Sequence, residues 1–175
     1  IYSGSKAACE IISESYIHSF FKNSKTNIAT VRSGNCIGGG DWTKDRILKD
    51  CAVHCLKNKK LLIRSPNSTR PWQHVLEPLC GYLNLAMSLS ESAELHGEPF
   101  NFGPPADQNH TVGSLVTQMS QHWDLVRWQD VSQDGEGPYE SGLLKLNCDK
   151  AQHHLKWRAI WNFEQTVKAT VEWYR

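Results

Sequence analysis

A tyrosine and a lysine at the start of the chain have the types and spacing of a catalytic pair. Tyr2 and Lys6 are four residues apart, so both lie on one face if the segment is helical. An ammonium group beside a phenol stabilises the phenolate, which makes a tyrosine a usable general base. Oxidation of a sugar or an alcohol by a nicotinamide cofactor needs such a base. The pair therefore predicts proton transfer from a hydroxyl group, although the same spacing also occurs by chance in surface helices.

Two further segments have the composition of ligand-binding loops. Residues 38–42, Gly-Gly-Gly-Asp-Trp, place three glycines in a row, which predicts positive φ or a ligand close to the backbone. The alternative for this segment is a flexible turn. Arg70 precedes a proline at the start of a predicted strand, where its guanidinium could pair with a diphosphate through two hydrogen bonds. The alternative for Arg70 is an ordinary surface ion pair.

The elements that must position these residues can be predicted from apolar spacing and turn residues. Strands are predicted at 27–33, 61–64, 70–75, 99–102 and 143–147, and loops at 34–35 and 38–42. Helices are predicted at 3–23, 45–58, 79–89, 111–123 with Thr111 as N-cap, 149–155 and 163–173. Such alternation is typical of an α/β fold with a partly parallel sheet.

Composition excludes several classes of protein. The 175 residues are 39% hydrophobic and 21% charged, with a net charge of +1, which favours a globular domain over a disordered or nucleic-acid-binding chain. No apolar run in the sequence reaches the length of a membrane helix. The six cysteines are scattered, and the cluster Cys51, His54 and Cys55 lacks a second ligand pair at zinc-site spacing. The sequence therefore predicts no metal site and favours thiols of a reducing cytosol.

Taken together, these segments resemble the extended short-chain dehydrogenase/reductase family, and within it the CDP-glucose 4,6-dehydratase branch. The resemblance runs from end to end, and the blocks at 38–42 and 70–75 are the most specific to this branch. The segments that carry it are Tyr2–Lys6, Val31–Trp42, Asp45–Arg46, Arg70–Leu79, Asn101–Pro104 and Leu144–Cys148.

The resemblance implies a role for six residues. Tyr2 would take the proton from the sugar 4-hydroxyl, and Lys6 would activate the phenol and hold the nicotinamide ribose. The residues that would bind the sugar nucleotide are Asn35 at the sugar diphosphate, Arg46 and Arg70 at the phosphates, and Asn101 near the nucleotide.

The resemblance also implies a fold, a cofactor and a reaction. Residues 1–175 would be the C-terminal portion of the enzyme: part of a Rossmann-type NAD(P)-binding fold and the small substrate-binding domain. The cofactor would be NAD, and the reaction would convert CDP-glucose into CDP-4-keto-6-deoxyglucose by internal redox. The setting would be cytoplasmic deoxysugar synthesis for lipopolysaccharide O-antigen.

The resemblance further implies a homodimer formed through two long helices, one of them the helix of Tyr2 and Lys6. Small and apolar residues recur along that predicted helix, including Ala7, Ala8, Ile11 and Ile12. A stripe of this kind lets one helix lie close to another.

The sequence departs from the family pattern in ways that keep other functions open. Lys49 stands in place of proline, Leu143 in place of an aromatic residue, Asn147 in place of aspartate and Cys36 in place of valine. The Gly-rich NAD loop and the segment that supplies the elimination acid would precede Tyr2, so we expect no dehydratase activity from these residues alone. The alternatives are a non-catalytic nucleotide-sugar-binding remnant and another NAD-dependent epimerase or dehydratase.

Overall fold

Helices and short strands alternate along the chain, as the apolar pattern predicts. The computed structural model describes residues 1–133 and 142–175. The helices are α1 (Tyr2–Tyr16), α2 (Ile47–Leu56), α3 (Leu76–Glu91), α4 (Val112–His122), α5 (Asp149–Leu155) and α6 (Phe163–Tyr174), and a π-helical turn (Ile17–Phe21) continues α1. The strands are β1 (Thr30–Ser33), β2 (Asn35–Ile37), β3 (Leu61–Ile63), β4 (Thr69–Arg70), β5 (Trp72–His74), β6 (Pro99–Phe102), β7 (His110–Thr111) and β8 (Trp128–Asp130).

The strands pair mostly in parallel, which confirms the predicted α/β class. Within the described residues, β1 pairs with β6, β2 with β5 and β3 with β8 in parallel, while β4 and β7 are antiparallel. Parallel neighbours need a long crossover connection, commonly a helix, and α2 and α3 lie in such connections here. The carboxyl ends of β1 and β2 consequently lie near those of β6 and β5.

Two local predictions are wrong. Residues 143–147, predicted to be a strand, belong to no helix or strand of the described residues. Their alternation of leucines favours a strand, but side chains of neighbouring elements bind this backbone instead: Asn101 Nδ2 donates to the Asn147 carbonyl at 2.9 Å. Asn35, predicted to be in a loop, begins β2, where its amide nitrogen donates to the Pro71 carbonyl at 2.9 Å.

Two apolar clusters form the core. The first lies between α2, α4 and α6, where Leu115, Val116 and Val167 are completely buried. The second surrounds β6, where Phe100 and Phe102 are completely buried against α3 and α5. A Cβ at Gly81 of α3 would overlap the Phe102 ring, so only glycine permits this approach of helix and strand.

The entry to α6 is fixed by two sets of hydrogen bonds. The Asn162 side chain accepts from the Gln165 amide at 2.9 Å, and the Gln165 side chain accepts from the Asn162 amide at 3.0 Å. This reciprocal pair is a capping box, which satisfies amide groups that the first helical turn leaves unpaired. Just upstream, the buried Glu77 carboxylate accepts from the backbone amides of Ile160 and Trp161 at 3.1 and 2.8 Å. The capping box and the Glu77 carboxylate therefore both fix the start of α6.

Helix α1 presents no packed face to the rest of the chain. All of α1 lies within the described residues, and none of its residues is buried. Its firmest attachment is Glu10, whose carboxylate accepts from Arg32 Nε at 2.8 Å and Nη2 at 2.7 Å. These hydrogen bonds from Arg32 lower the pKa of Glu10, so an ionised pair fastens α1 to β1. No helix in the two described ranges is long and apolar enough to cross a membrane.

Candidate active site

The tyrosine and lysine predicted to be a catalytic pair lie on the first turns of α1. The Lys6 ammonium is 5.7 Å from the centre of the Tyr2 ring, as expected for positions i and i+4 of a helix. Both side chains line a cavity of about 720 Å³ between α1 and β1, together with Ser33. We call this space the helix cavity. Tyr2 is 75% exposed, so its phenol is accessible to a ligand.

Tyr2 also faces a second space, in which four of the predicted site residues meet. This cavity of about 640 Å³, here the central cavity, is lined by Tyr2, Asn35, Arg46 and Arg70. The four come from α1, β2, the N-cap of α2 and β4. The parallel pairing of β2 with β5 brings Asn35 beside Trp72, two residues after Arg70. Residues 68 positions apart in the chain thus share one cavity.

The central cavity adjoins a third space. This side cavity of about 440 Å³ is lined by Asn35, Arg46 and Arg70 as well, so the two cavities meet at these side chains. Its remaining lining combines apolar and charged side chains. The apolar ones are Ile37, Ile47, Leu48, Leu61, Leu62, Ile63, Trp72 and Val112, and the charged ones are Asp41, Asp45, Asp50 and Arg64. The arrangement suits an elongated ligand with a charged middle and one flat, partly apolar end.

The charged groups at this junction favour an anion. Arg46 Nε lies 3.5 Å from Asp41 Oδ2, while Arg70 Nη1 donates to the Thr69 carbonyl at 2.8 Å. Hydrogen bonds from Thr43, with a smaller contribution from Arg46, lower the pKa of Asp41. Arg46 and Arg70 therefore bring two guanidinium groups to the junction, and a guanidinium can bind a phosphate or carboxylate group through two hydrogen bonds.

Asn101, predicted to lie near the nucleotide, hydrogen-bonds to two neighbouring residues. Its Oδ1 accepts from Arg32 Nη1 at 3.3 Å and its Nδ2 donates to the Asn147 carbonyl. It is not among the described residues that line the central or the side cavity. The structure thus brings Tyr2, Asn35, Arg46 and Arg70 together, with Lys6 beside Tyr2, and leaves Asn101 in a network with Arg32.

Two residues of the central cavity had no role in the sequence-based prediction. Asp41 lies within the Gly-Gly-Gly-Asp-Trp block, and its ion pair with Arg46 could have been suspected from their spacing of five residues. Leu144 lines the same cavity from the segment that had been predicted to be a strand. No local sequence pattern indicates that Leu144 lines the same cavity as Tyr2.

The cysteine and histidine cluster on α2 offers no metal site. Burial raises the pKa of the Cys51 thiol to about 12, and the backbone carbonyl of Asp50 lies 2.7 Å from His54 Nδ1. Across residues 1–133 and 142–175, no three or more His, Cys, Asp or Glu side chains are placed to share a metal ion.

Solved structures identify the class of fold. The chain matches a dTDP-glucose 4,6-dehydratase from Bacillus anthracis in complex with NAD at a TM-score of 0.73 and 20% identity, over 99% of this chain and 51% of that one. It matches a UDP-glucuronic acid 4-epimerase from Bacillus cereus, in complex with UDP-glucuronic acid and NAD, at a TM-score of 0.74 and 16% identity, over 92% and 49%. The chain therefore carries part of the fold of the extended short-chain dehydrogenases/reductases, as predicted.

Sequence comparison narrows the resemblance to one branch. The chain is 39% identical to CDP-glucose 4,6-dehydratase of Salmonella typhimurium over 99% of its own length and 50% of the relative. It is 23% identical to dTDP-D-glucose 4,6-dehydratase of Mus musculus over 99% and 47%. The chain spans about half the length of these curated relatives, and no family model matches it. The predicted resemblance to the CDP-glucose 4,6-dehydratases is thereby confirmed.

Proposed function

We propose that the chain is the substrate-binding part and catalytic helix of an NAD-dependent CDP-glucose 4,6-dehydratase. The observation that carries the proposal is the convergence of Tyr2, Asn35, Arg46 and Arg70 on the central cavity. The 39% identity to the Salmonella CDP-glucose 4,6-dehydratase supports dehydration as the proposed reaction and CDP-glucose as the proposed substrate.

On this proposal, the three parts of CDP-glucose occupy the side cavity, the junction and the central cavity in order. The cytosine ring enters the side cavity beside Trp72. The diphosphate lies at the junction, where Arg46 and Arg70 neutralise its charge through charge-assisted hydrogen bonds. Glucose then occupies the central cavity with its 4-hydroxyl directed toward Tyr2, and Asn35 lies between phosphate and sugar.

Two residues of α1, Tyr2 and Lys6, also suit the cofactor. A phenol and an ammonium group line the helix cavity, and both can bind ribose hydroxyl groups. When bound, NAD supplies the hydride acceptor and donor of an internal redox cycle. Tyr2 accepts the proton of the 4-hydroxyl, and the positive charge of Lys6 stabilises the phenolate that must be present beforehand. Over the whole reaction the sugar loses one molecule of water and becomes a 4-keto-6-deoxy sugar.

The direct test uses the full gene product that contains these residues. We expect incubation with CDP-glucose and NAD to yield a nucleotide sugar lighter by one water, with NAD unchanged in amount at the end. The matched controls replace CDP-glucose with dTDP-glucose or UDP-glucose, which should react far more slowly.

The same assay separates the rival functions. Conversion of UDP-glucose to an isomer of equal mass would establish an epimerase and contradict the dehydratase proposal. Binding of CDP-glucose without any product would establish a binding protein, again against the proposal.

We also propose that two copies of the protein pair through α1 and α3. On α1, Ile11 and Ile12 are 65% and 57% exposed, and on α3, Leu83 and Met87 are 68% and 63% exposed. Two helices with apolar outer faces can form a bundle with the same pair of a second copy.

Charges placed on α1 should break this dimer. In the full gene product we expect Ala8→Glu combined with Ile12→Glu to yield monomers in sedimentation velocity, because buried unpaired carboxylates oppose helix contact. Ile160→Glu introduces the same charge at an exposed apolar position outside α1 and α3 and should leave the dimer intact. An unchanged sedimentation coefficient for the α1 variant would contradict this interface.

The proposal places the protein in the cytoplasm, in deoxysugar synthesis for lipopolysaccharide. All six cysteines are free, which suits a reducing compartment. A 4-keto product calls for a following enzyme that reduces, aminates or isomerises at that carbonyl group.

A further inference from the structure

The loop of residues 38–42 contributes backbone and side chain to both ligand cavities. Gly38 and Asp41 line the central and the side cavity, and Gly39 lines the central one. Asp41 in turn lies against Arg46 through their ion pair. The position of this loop therefore affects where the Arg46 guanidinium lies.

Three consecutive glycines cannot fix such a loop by themselves. Glycine loses more conformational freedom on ordering than any other residue, and Gly40 adopts a φ of +82° that other residues avoid. The conformation must be imposed by contacts from outside the loop.

The last turn of α6 supplies these contacts. A Cβ at Gly39 would overlap the Trp173 indole, and one at Gly40 would lie 3.6 Å from it. The Tyr174 hydroxyl donates to the Asp41 carbonyl at 3.0 Å, and burial raises the pKa of this phenol, so the hydroxyl stays protonated. Trp42 closes the group, with its ring centre 5.4 Å from that of Tyr174 in a T-shaped arrangement.

Helix α6 is rigid enough to serve as the support. Its capping box and the Glu77 hydrogen bonds fix its start, and Val167 and Val171 fix its middle in the first core cluster. Its end then projects Trp173 and Tyr174 onto the loop. This contact explains Gly39, because only a residue without a Cβ lets the indole lie directly on the backbone there.

We propose that Trp173 and Tyr174 are positioning residues, which hold the 38–42 loop and, through Asp41, hold Arg46 where it receives the diphosphate of the nucleotide sugar. This role rests on the proposed function. It predicts that the last turn of α6 affects binding of phosphate groups while touching neither substrate nor cofactor.

The first test compares two ligands of the full gene product. For Trp173→Ala we expect the Kd for CDP to rise about tenfold and the Kd for cytidine to stay within about twofold, because only the diphosphate contacts Arg46. The KM for CDP-glucose should rise in parallel, with kcat within about threefold of wild type. Tyr174→Phe, which keeps the ring and removes the hydrogen bond, should show a smaller rise of about threefold. Glu172→Ala, on the same turn and exposed, is the matched control and should match wild type.

A second test reads the loop without a ligand. Amide hydrogens of residues 38–42 should exchange faster in Trp173→Ala than in wild type or Glu172→Ala. Gly39→Ala should weaken CDP binding in the wild-type background, but in the Trp173→Ala background it should cause no further loss, because the indole it would meet is gone.

The outcomes distinguish the positioning role of Trp173 and Tyr174 from the proposed function on which it rests. Wild-type protein that binds neither CDP nor cytidine overturns the proposed function, and the positioning role falls with it. Wild-type binding of CDP, with unchanged affinity and unchanged loop exchange in Trp173→Ala, overturns the positioning role alone.

Discussion

Replacing Tyr2 by phenylalanine in the full gene product is expected to lower kcat for CDP-glucose dehydration about 10²- to 10⁴-fold, the usual contribution of a general base. The substitution removes the phenolic oxygen and keeps the ring beside Lys6. Since Arg46 and Arg70 are the proposed contacts of the diphosphate, the Kd for CDP should stay within about twofold. Steady-state kinetics and equilibrium binding measure the two quantities separately.

Tyr16→Phe is the matched control for this variant. Tyr16 lies on the same helix, is 58% exposed and is remote from the central cavity, so its loss of a hydroxyl should leave kcat unchanged. A Tyr2→Phe protein that retains more than about a tenth of wild-type kcat would show that another group takes the 4-hydroxyl proton.

The second large effect concerns stability. Phe102→Ala is expected to lower the free energy of unfolding by about 3–5 kcal/mol, because it empties a fully buried site. Phe102 is packed by Tyr82 and Trp157 in edge-to-face geometry, with ring centres 5.4 and 4.9 Å away, and lies directly on Gly81. Rigid aromatic and backbone neighbours cannot collapse into the space. Urea unfolding, followed by circular dichroism, gives the change.

Ile160→Ala provides the comparison, since Ile160 is 81% exposed and its truncation should change stability by less than about 0.5 kcal/mol. A loss below about 1.5 kcal/mol in Phe102→Ala would mean that the second core cluster relaxes around the cavity, contrary to the packing described above.

The larger elements could be predicted because their signals are local. Thr111 lies directly before the apolar spacing of α4, and its Oγ1 accepts from the Ser114 amide at 3.0 Å, so the predicted cap is confirmed. β2 could not be predicted, because three residues after a glycine become a strand only through pairing with β5. The prediction for residues 143–147 is wrong for the converse reason: their pattern fits a strand, yet they belong to no strand of the described residues.

The candidate site was predictable only in part. Tyr2 and Lys6 are four residues apart, so their proximity follows from helix geometry. That Arg46 and Arg70 line the same cavities follows from strand pairing, which no local sequence pattern predicts. Their selection as site residues came from the resemblance to known enzymes. The role of Tyr174 could not be predicted at all, because its hydrogen bond partner Asp41 is 133 residues away.

The parallel pairing of β1 with β6 has a consequence for synthesis on the ribosome. Arg32 pairs with Asn101, 69 residues further along the chain. At about 5–20 residues per second, roughly 3–14 s pass between the translation of the two strands. During that interval the newly made β1 has no β6 to bind, and unpaired strand edges are the surfaces on which nascent chains associate wrongly. The cellular yield of this protein should therefore depend on chaperones that bind the nascent chain before β6 has been synthesised.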